Sequence, residues 1–213
     1  MSKFIVVEGL EGAGKSNAIN VIKRYLDNQP IQVVYTREPG GTFLTEKIRK
    51  ILITSYKEET LCNESELLLI YASRIQHIKK LIKPALEKNK WVISDRFNWS
   101  SYAYQGGGRG LSLKKIKVLE DLIMPSCSPD LVLYLDIDPV VGLQRATKRK
   151  DVLDRIEQET LQFFQNARRL FLKLAKNTIG SIVIDADLPR HEVEAVIIQS
   201  VQKYTCQHLN ISN

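Results

Sequence analysis

The 213 residues include only three cysteines, Cys62, Cys127 and Cys206, and none forms a C-x-x-C pair with another. An odd, scattered set of thiols excludes a disulfide scaffold and argues against a zinc site; it is the usage expected of a reduced, cytoplasmic protein. Long hydrophobic runs are missing too. No stretch reaches the roughly eighteen apolar residues of a membrane helix, and no basic-then-apolar leader opens the chain, so no membrane partner is expected. Aromatic residues make up 8% and do not interleave with the basic ones as a stripe. The surplus charge of +7 therefore does not read as a nucleic-acid surface. It suits a site that handles several phosphate charges, while Lys79, Lys80, Lys114, Lys115 and Lys117 read as solvated surface. Internal repeats, low-complexity linkers and breaks in composition are also lacking, which leaves one domain over 1–213.

What is present is an alternation. Five short apolar runs, Phe4–Val7, Ile31–Tyr35, Trp91–Ile93, Leu131–Leu135 and Ser181–Ile184, have the character of strands buried on both faces. Helical spacing fills the intervals: Asn17–Leu26, Leu44–Ile53, Glu64–Asn89 with a break near Pro84, Leu113–Leu122, Val140–Arg149, Glu157–Lys176 and Pro189–Tyr204. The expected fold is a three-layer α/β/α domain, a five-stranded parallel sheet flanked by helices. Ligands then gather at the C-terminal strand ends.

The first of these ends reads Gly9-Leu10-Glu11-Gly12-Ala13-Gly14-Lys15-Ser16, a full match to G-x-x-x-x-G-K-[ST] between strand and helix. The glycines allow successive N–H groups to turn inward onto phosphate oxygens, at a helix N-terminus that already favours anions. Lys15 would reach the β- and γ-phosphates, and the Ser16 hydroxyl is placed for Mg²⁺. The pattern predicts binding of a nucleoside triphosphate.

The second end, Thr36-Arg37-Glu38-Pro39-Gly40-Gly41-Thr42, makes a rigid turn in which Arg37 is either a phosphate clamp or half of a surface Arg–Glu pair. The third and fourth end in Asp95 and Asp136, and either would suit a Mg²⁺ shell. Asp95 is the better candidate, because Arg96 follows it; Asp136 reads as part of a strand-to-helix turn and cap. Arg74 lies in an otherwise apolar helix, where it snorkels, pairs with a carboxylate or points into an anion site. Tyr104-Gln105-Gly106-Gly107-Gly108-Arg109-Gly110 reads as a flexible loop beside a ligand or a moving segment. Residues 145–155 carry five positive charges, Arg145, Lys148, Arg149, Lys150 and Arg155, and read as a lid over about 142–157 or as a solvated helix face.

Taken together, Glu8–Ser16, Thr36–Thr42, Tyr71–Gln76, Asp95-Arg96, Ala103–Gly110 and Asp154–Glu159 resemble bacterial thymidylate kinase over nearly the whole chain. The resemblance implies transfer of the γ-phosphate of ATP to dTMP with Mg²⁺. Carried over by position, Gly9 to Ser16 and Arg145 would bind ATP, with Arg145 against the adenine. Arg37 and Arg96 would hold the dTMP phosphate, Arg74 would contact the base, and Glu11 would meet the sugar 3′-hydroxyl. Ser101 and Gln105 would line the nucleoside pocket, and Ile70 stands where the family usually stacks a Phe on thymine. Trp99 and Tyr102 also differ from the family pattern and would reshape the sugar pocket. Ala13 and the basic run imply the arrangement in which the lid, through Arg149 or its neighbours Lys148 and Lys150, supplies the cation for the transferring phosphoryl. Lys15, Arg96, Arg149 and Glu11 are then the catalytic set, Ser16 and Asp95 the metal set. The family is homodimeric, through helices that here include part of Glu64–Asn89. A kinase for another nucleoside monophosphate, a regulatory nucleotide-binding protein and a nucleic-acid-dependent ATPase are the rival readings.

Overall fold

Strand β1 (Phe4–Gly9) is buried along its whole length, as a contiguous apolar run at the centre of a parallel sheet must be. A computed structural model describes residues 1–123, 127–149 and 154–209 of the chain. After β1 come α1 (Lys15–Leu26), β2 (Val33–Arg37), α2 (Phe43–Ile53), α3 (Asn63–His77), α4 (Lys83–Glu87), β3 (Trp91–Asp95), α5 (Asn98–Ser100) and α6 (Leu113–Ile123). The chain continues through β4 (Leu131–Asp136), α7 (Pro139–Arg149), α8 (Leu161–Asn177), β5 (Ser181–Asp185) and α9 (Arg190–Leu209). The sheet order is β2-β3-β1-β4-β5, with every pairing parallel. The α/β sheet flanked by helices expected from the sequence is the fold observed, with each strand within two residues of its predicted start.

Register brings the strand ends level. Val7 pairs with Asp95, Arg37 with Asp95, and Gly9 with Leu135, so the phosphate loop, the Arg37 turn and Asp95 emerge side by side. On one side of the loop, Gly12 meets Gly142 of α7. A Cβ on Gly12 would lie 2.1 Å from the Gly142 carbonyl oxygen, and one on Gly142 would lie 2.6 Å from the Glu11 oxygen. With φ at +74°, Gly12 is also in the left-handed region that favours glycine.

The break expected near Pro84 is present, while the start of α8 and the reading of the glycine-rich stretch need correction. The long pattern over 64–89 is divided by a π-helical turn, Ile78–Ile82, just ahead of Pro84. Proline lacks an N–H, and the ladder there steps to i→i−5, with Lys83 N–H on the Ile78 carbonyl. Helix α8 begins at Leu161 rather than Glu157, because the Thr160 side chain accepts the Phe163 N–H and caps it.

The glycine-rich stretch is not a flexible loop: Ser101–Gly108 is π-helical and mostly buried. The glycines serve packing against α8 and α6. A Cβ on Gly107 would lie 2.8 Å from the Asn166 carbonyl oxygen, one on Gly108 2.2 Å from the Phe163 ring, and one on Gly106 2.5 Å from Leu113. Gly108→Ala is therefore expected to lower the unfolding free energy by up to roughly 2 kcal/mol, overpacking of roughly 1–3 less about 1 of helix propensity gained. Urea denaturation checks this, and unchanged stability would contradict the packing role.

Candidate active site

Arg96 follows β3 directly and has φ at +69°, an uncommon conformation for a side-chain-bearing residue that costs on the order of 1 kcal/mol and clusters at functional sites. Its backbone is fixed on both sides. The Arg96 N–H donates to the Val7 carbonyl at 2.9 Å, and the Ser94 hydroxyl donates to the Arg96 carbonyl at 2.8 Å. The guanidinium then reaches across to the phosphate loop, donating to the Gly9 carbonyl at 2.8 Å and to Glu11 at 2.5 Å. Tyr104 completes the cluster, with its hydroxyl 2.8 Å from the other Glu11 oxygen and its ring beneath the guanidinium. Burial works to raise the Glu11 pKa, but the charges of Arg96 and Lys15 and the Tyr104 hydroxyl outweigh it and hold the carboxyl below the usual range.

Behind Arg96 lies Glu8, at the end of β1 and completely buried. It accepts from the Phe97 N–H at 2.9 Å and the Ser100 hydroxyl at 2.7 Å, while Arg96 donates to that same hydroxyl at 3.2 Å. Burial pushes Glu8 up to about 7 against the pull of Arg96. Glu8 thus orients Arg96 through Ser100, a role the sequence reading missed. The available signal was an acid inside an apolar strand.

Two hollows open on either side of this cluster. One brings together Glu11, Ile70, Arg74, Arg96, Ser101 and Gln105, all six expected at a nucleoside pocket, and adds Arg49 and Arg155. Arg74 is 2% exposed and is paired with Glu38 at 2.7 Å, donating also to Ser101 at 3.0 Å and to the Phe97 carbonyl at 3.1 Å. Glu38 in turn meets His77 Nδ1 at 3.0 Å, and His77 Nε2 meets the Thr36 hydroxyl at 2.7 Å. Removing Glu38 alone would leave a buried guanidinium uncompensated, at a cost of about 3–5 kcal/mol. Arg49, on the inward side of α2, donates to the Pro39 carbonyl at 2.8 Å. Glu66, Ile70, Arg74 and His77 recur at helical spacing along one face of α3, three polar side chains and one aliphatic, of which sequence reasoning registered only Ile70 and Arg74.

The second hollow holds Ser16, Arg37 and Asp95. Arg37 therefore stands apart from the nucleoside hollow and is gripped by Glu46 at 2.9 and 3.3 Å. Asp95 Oδ1 is buried with no hydrogen-bond partner, as befits a carboxylate oxygen facing a hydrated cation, and Ser16 is exposed beside it. Serine plus one carboxylate is a donor set that suits Mg²⁺, which keeps most of its shell for water and substrate phosphates. Asp136 is already engaged: Arg168 grips it at 2.8 and 2.9 Å, while Asp138 caps α7 through the Val140 N–H.

Lys15 Nζ is folded onto the loop it belongs to, donating to the carbonyls of Gly9 at 3.1 Å and Leu10 at 2.8 Å. Arg145, on α7, donates to the Ala186 carbonyl at 2.8 Å. Trp99 and Tyr102 do not reach the nucleoside hollow: Trp99 is in the core, and the Tyr102 hydroxyl donates to Glu120 at 2.6 Å. Of the lid, Lys148 is exposed on α7, whereas the Arg149 side chain and Lys150 lie outside the described residues.

A phosphate loop at the end of β1 and a separate arginine-lined hollow, joined by one guanidinium, define a P-loop phosphotransferase with two adjacent sites. The family model described as thymidylate kinase matches residues 7–197. A thymidylate kinase of Francisella tularensis subsp. tularensis (strain WY96-3418) is 50% identical over 212 residues, covering 100% of this chain and 99% of that protein. Another, from Francisella philomiragia subsp. philomiragia, is 50% identical over 204 residues, 96% of this chain and 100% of its own. Among solved structures, a thymidylate kinase from Ehrlichia chaffeensis matches with a TM-score of 0.74 at 34% identity, over 94% of this chain and 98% of that one. The chain belongs to the thymidylate kinase family, ATP-using enzymes that phosphorylate dTMP.

Burial of the ammonium pushes Lys15 down to about 8. Phosphates bound beside it would favour its charged form, so that binding above that pH would require proton uptake. Affinity for ATP is expected to be level below pH 8 and to fall by up to about tenfold per unit above it. Calorimetry across that range checks this; a flat profile would show that Lys15 is not the phosphate contact.

Proposed function

We propose that Gly9, Leu10, Glu11, Gly12, Ala13, Gly14, Lys15 and Ser16 cradle the phosphates of ATP, with Arg145 against its adenine. In this reading dTMP occupies the adjoining hollow. Arg96 holds its phosphate from within that hollow, Arg37 would reach the same phosphate from the neighbouring one by leaving Glu46, and Arg74, Ile70, Ser101 and Gln105 surround the base. Glu11 meets the sugar. The reaction moves a phosphoryl group from the γ position of ATP to a phosphate oxygen of dTMP, leaving ADP and dTDP. The demand is positioning and charge neutralisation. Ser16 and Asp95 would hold Mg²⁺, which supplies positive charge against the triphosphate. Arg149 of the lid adds a cation to the transferring group.

The single observation that carries this reading is Arg96, which touches the phosphate loop and borders the nucleoside hollow at once. Its charge therefore lies where two polyanions would meet. The test is ADP release from ATP–Mg²⁺ against dTMP, dUMP, UMP, CMP, AMP and GMP. Lys15→Ala is expected to abolish turnover, and Arg96→Ala to damage dTMP handling far more than ATP affinity. Near-normal kinetics for either variant would sink the assignment.

A homodimer is part of the same proposal. Leu68 is 56% and Ile75 38% exposed on α3, with Ala72 between them on the same stripe. Leu68→Glu is expected to yield a monomer in analytical ultracentrifugation, and an unchanged species would place the interface elsewhere. The unbridged cysteines, and described residues that include no helix long and apolar enough to cross a membrane, support a cytoplasmic location.

A further inference from the structure

Glu66 is completely buried on α3, and the transfer reaction makes no direct use of it. Four donors from three residues converge on it. Gln105 Nε2 reaches Oε1 at 2.6 Å, Arg155 Nη2 reaches Oε2 at 2.5 Å, and Arg109 reaches both oxygens at 3.2 and 3.4 Å. The guanidinium groups are themselves anchored, Arg155 on the Leu52 carbonyl at 2.9 Å and Arg109 on Glu159.

The consequence falls on Gln105. An amide offers either its NH₂ or its carbonyl to a neighbour, and the two orientations are almost identical in shape. Beside a carboxylate that already faces two guanidinium groups, only the NH₂ end can bond, because the carboxylate accepts and does not donate. The Gln105 carbonyl oxygen is left for the hollow that it shares with Ile70, Arg74 and Ser101. No described residue donates to that oxygen.

We propose that Glu66 is a positioning residue for base specificity: it locks the Gln105 amide so that an acceptor faces the base. The pocket then selects a pyrimidine carrying an imide N–H, of the thymine or uracil kind, over cytosine, whose ring nitrogen at that place is itself an acceptor. The proposal rests on reading this hollow as the dTMP site. Arg74 adds to the discrimination independently, since a guanidinium only donates and therefore opposes the amino group of cytosine.

The experiment compares kcat/KM for dTMP and dCMP in the wild type, Glu66→Gln and Arg109→Gln. Glu66→Gln frees the Gln105 amide to turn, because the new side chain can donate as well as accept. The dTMP:dCMP ratio is expected to fall on the order of tenfold, with the contribution of Arg74 retained and KM for ATP unchanged. Arg109→Gln removes one guanidinium from Glu66 but leaves the Gln105 bond, and should keep the ratio. A purely structural role for Glu66 would lower activity toward both nucleotides in proportion, and a constant ratio overturns the proposal. Should Glu66→Gln fail to fold, Glu66→Asp draws the carboxylate back by one methylene and is judged by the same ratio. A wild type that turns over dTMP without preferring it to dCMP overturns the amide lock alone. One that is inactive on dTMP overturns the reading of the hollow as well.

Discussion

Arg96 is held on three sides, by the Gly9 carbonyl, by Glu11 and by Ser100 backed by Glu8, and the two hollows are laid out around that fixed cation. An arginine cluster empty of phosphate would repel itself, and here each guanidinium near the site has a carboxylate or carbonyl in attendance. Glu11 serves Arg96, Glu38 serves Arg74, Glu46 serves Arg37, and Pro39 lends its carbonyl to Arg49. The buried pairs among these contribute little net stability, since the cost of burying each charge roughly offsets the attraction, and the exposed Arg37–Glu46 pair contributes little because water screens it. What they do achieve is orientation before substrate arrives, which is the larger part of what phosphoryl transfer asks of a protein.

The local features were legible in the sequence. Strands buried on both faces are contiguous apolar runs, and the phosphate loop is a contiguous motif, so neither depends on distant residues to be recognised. Asp95 was separable from Asp136 by its neighbour; in the fold Asp95 Oδ1 has no hydrogen-bond partner, while Arg168 occupies Asp136. Glu8, Arg49 and Glu66 were passed over because a buried charge acquires its meaning from partners far along the chain. Glu66 meets Gln105 and Arg155, respectively 39 and 89 residues away.

The glycine run at 106–108 misled for a related reason. Glycine in isolation signals freedom of the chain, but here it signals proximity of a neighbour, and only the approach of α8 discloses which. The π-helical geometry of Ser101–Gly108 goes with that approach and puts Ser101 and Gln105 on the rim of the nucleoside hollow. The same element thus joins the packing of α8 to the lining of the site.

The contact between Gly12 and Gly142 has a mechanical consequence. With no side chain on either residue, the phosphate loop and the first turn of α7 meet backbone to backbone, and there is no compliant layer between them. A tilt of α7 at this contact would displace the loop backbone directly, because no side chain lies between them to absorb it.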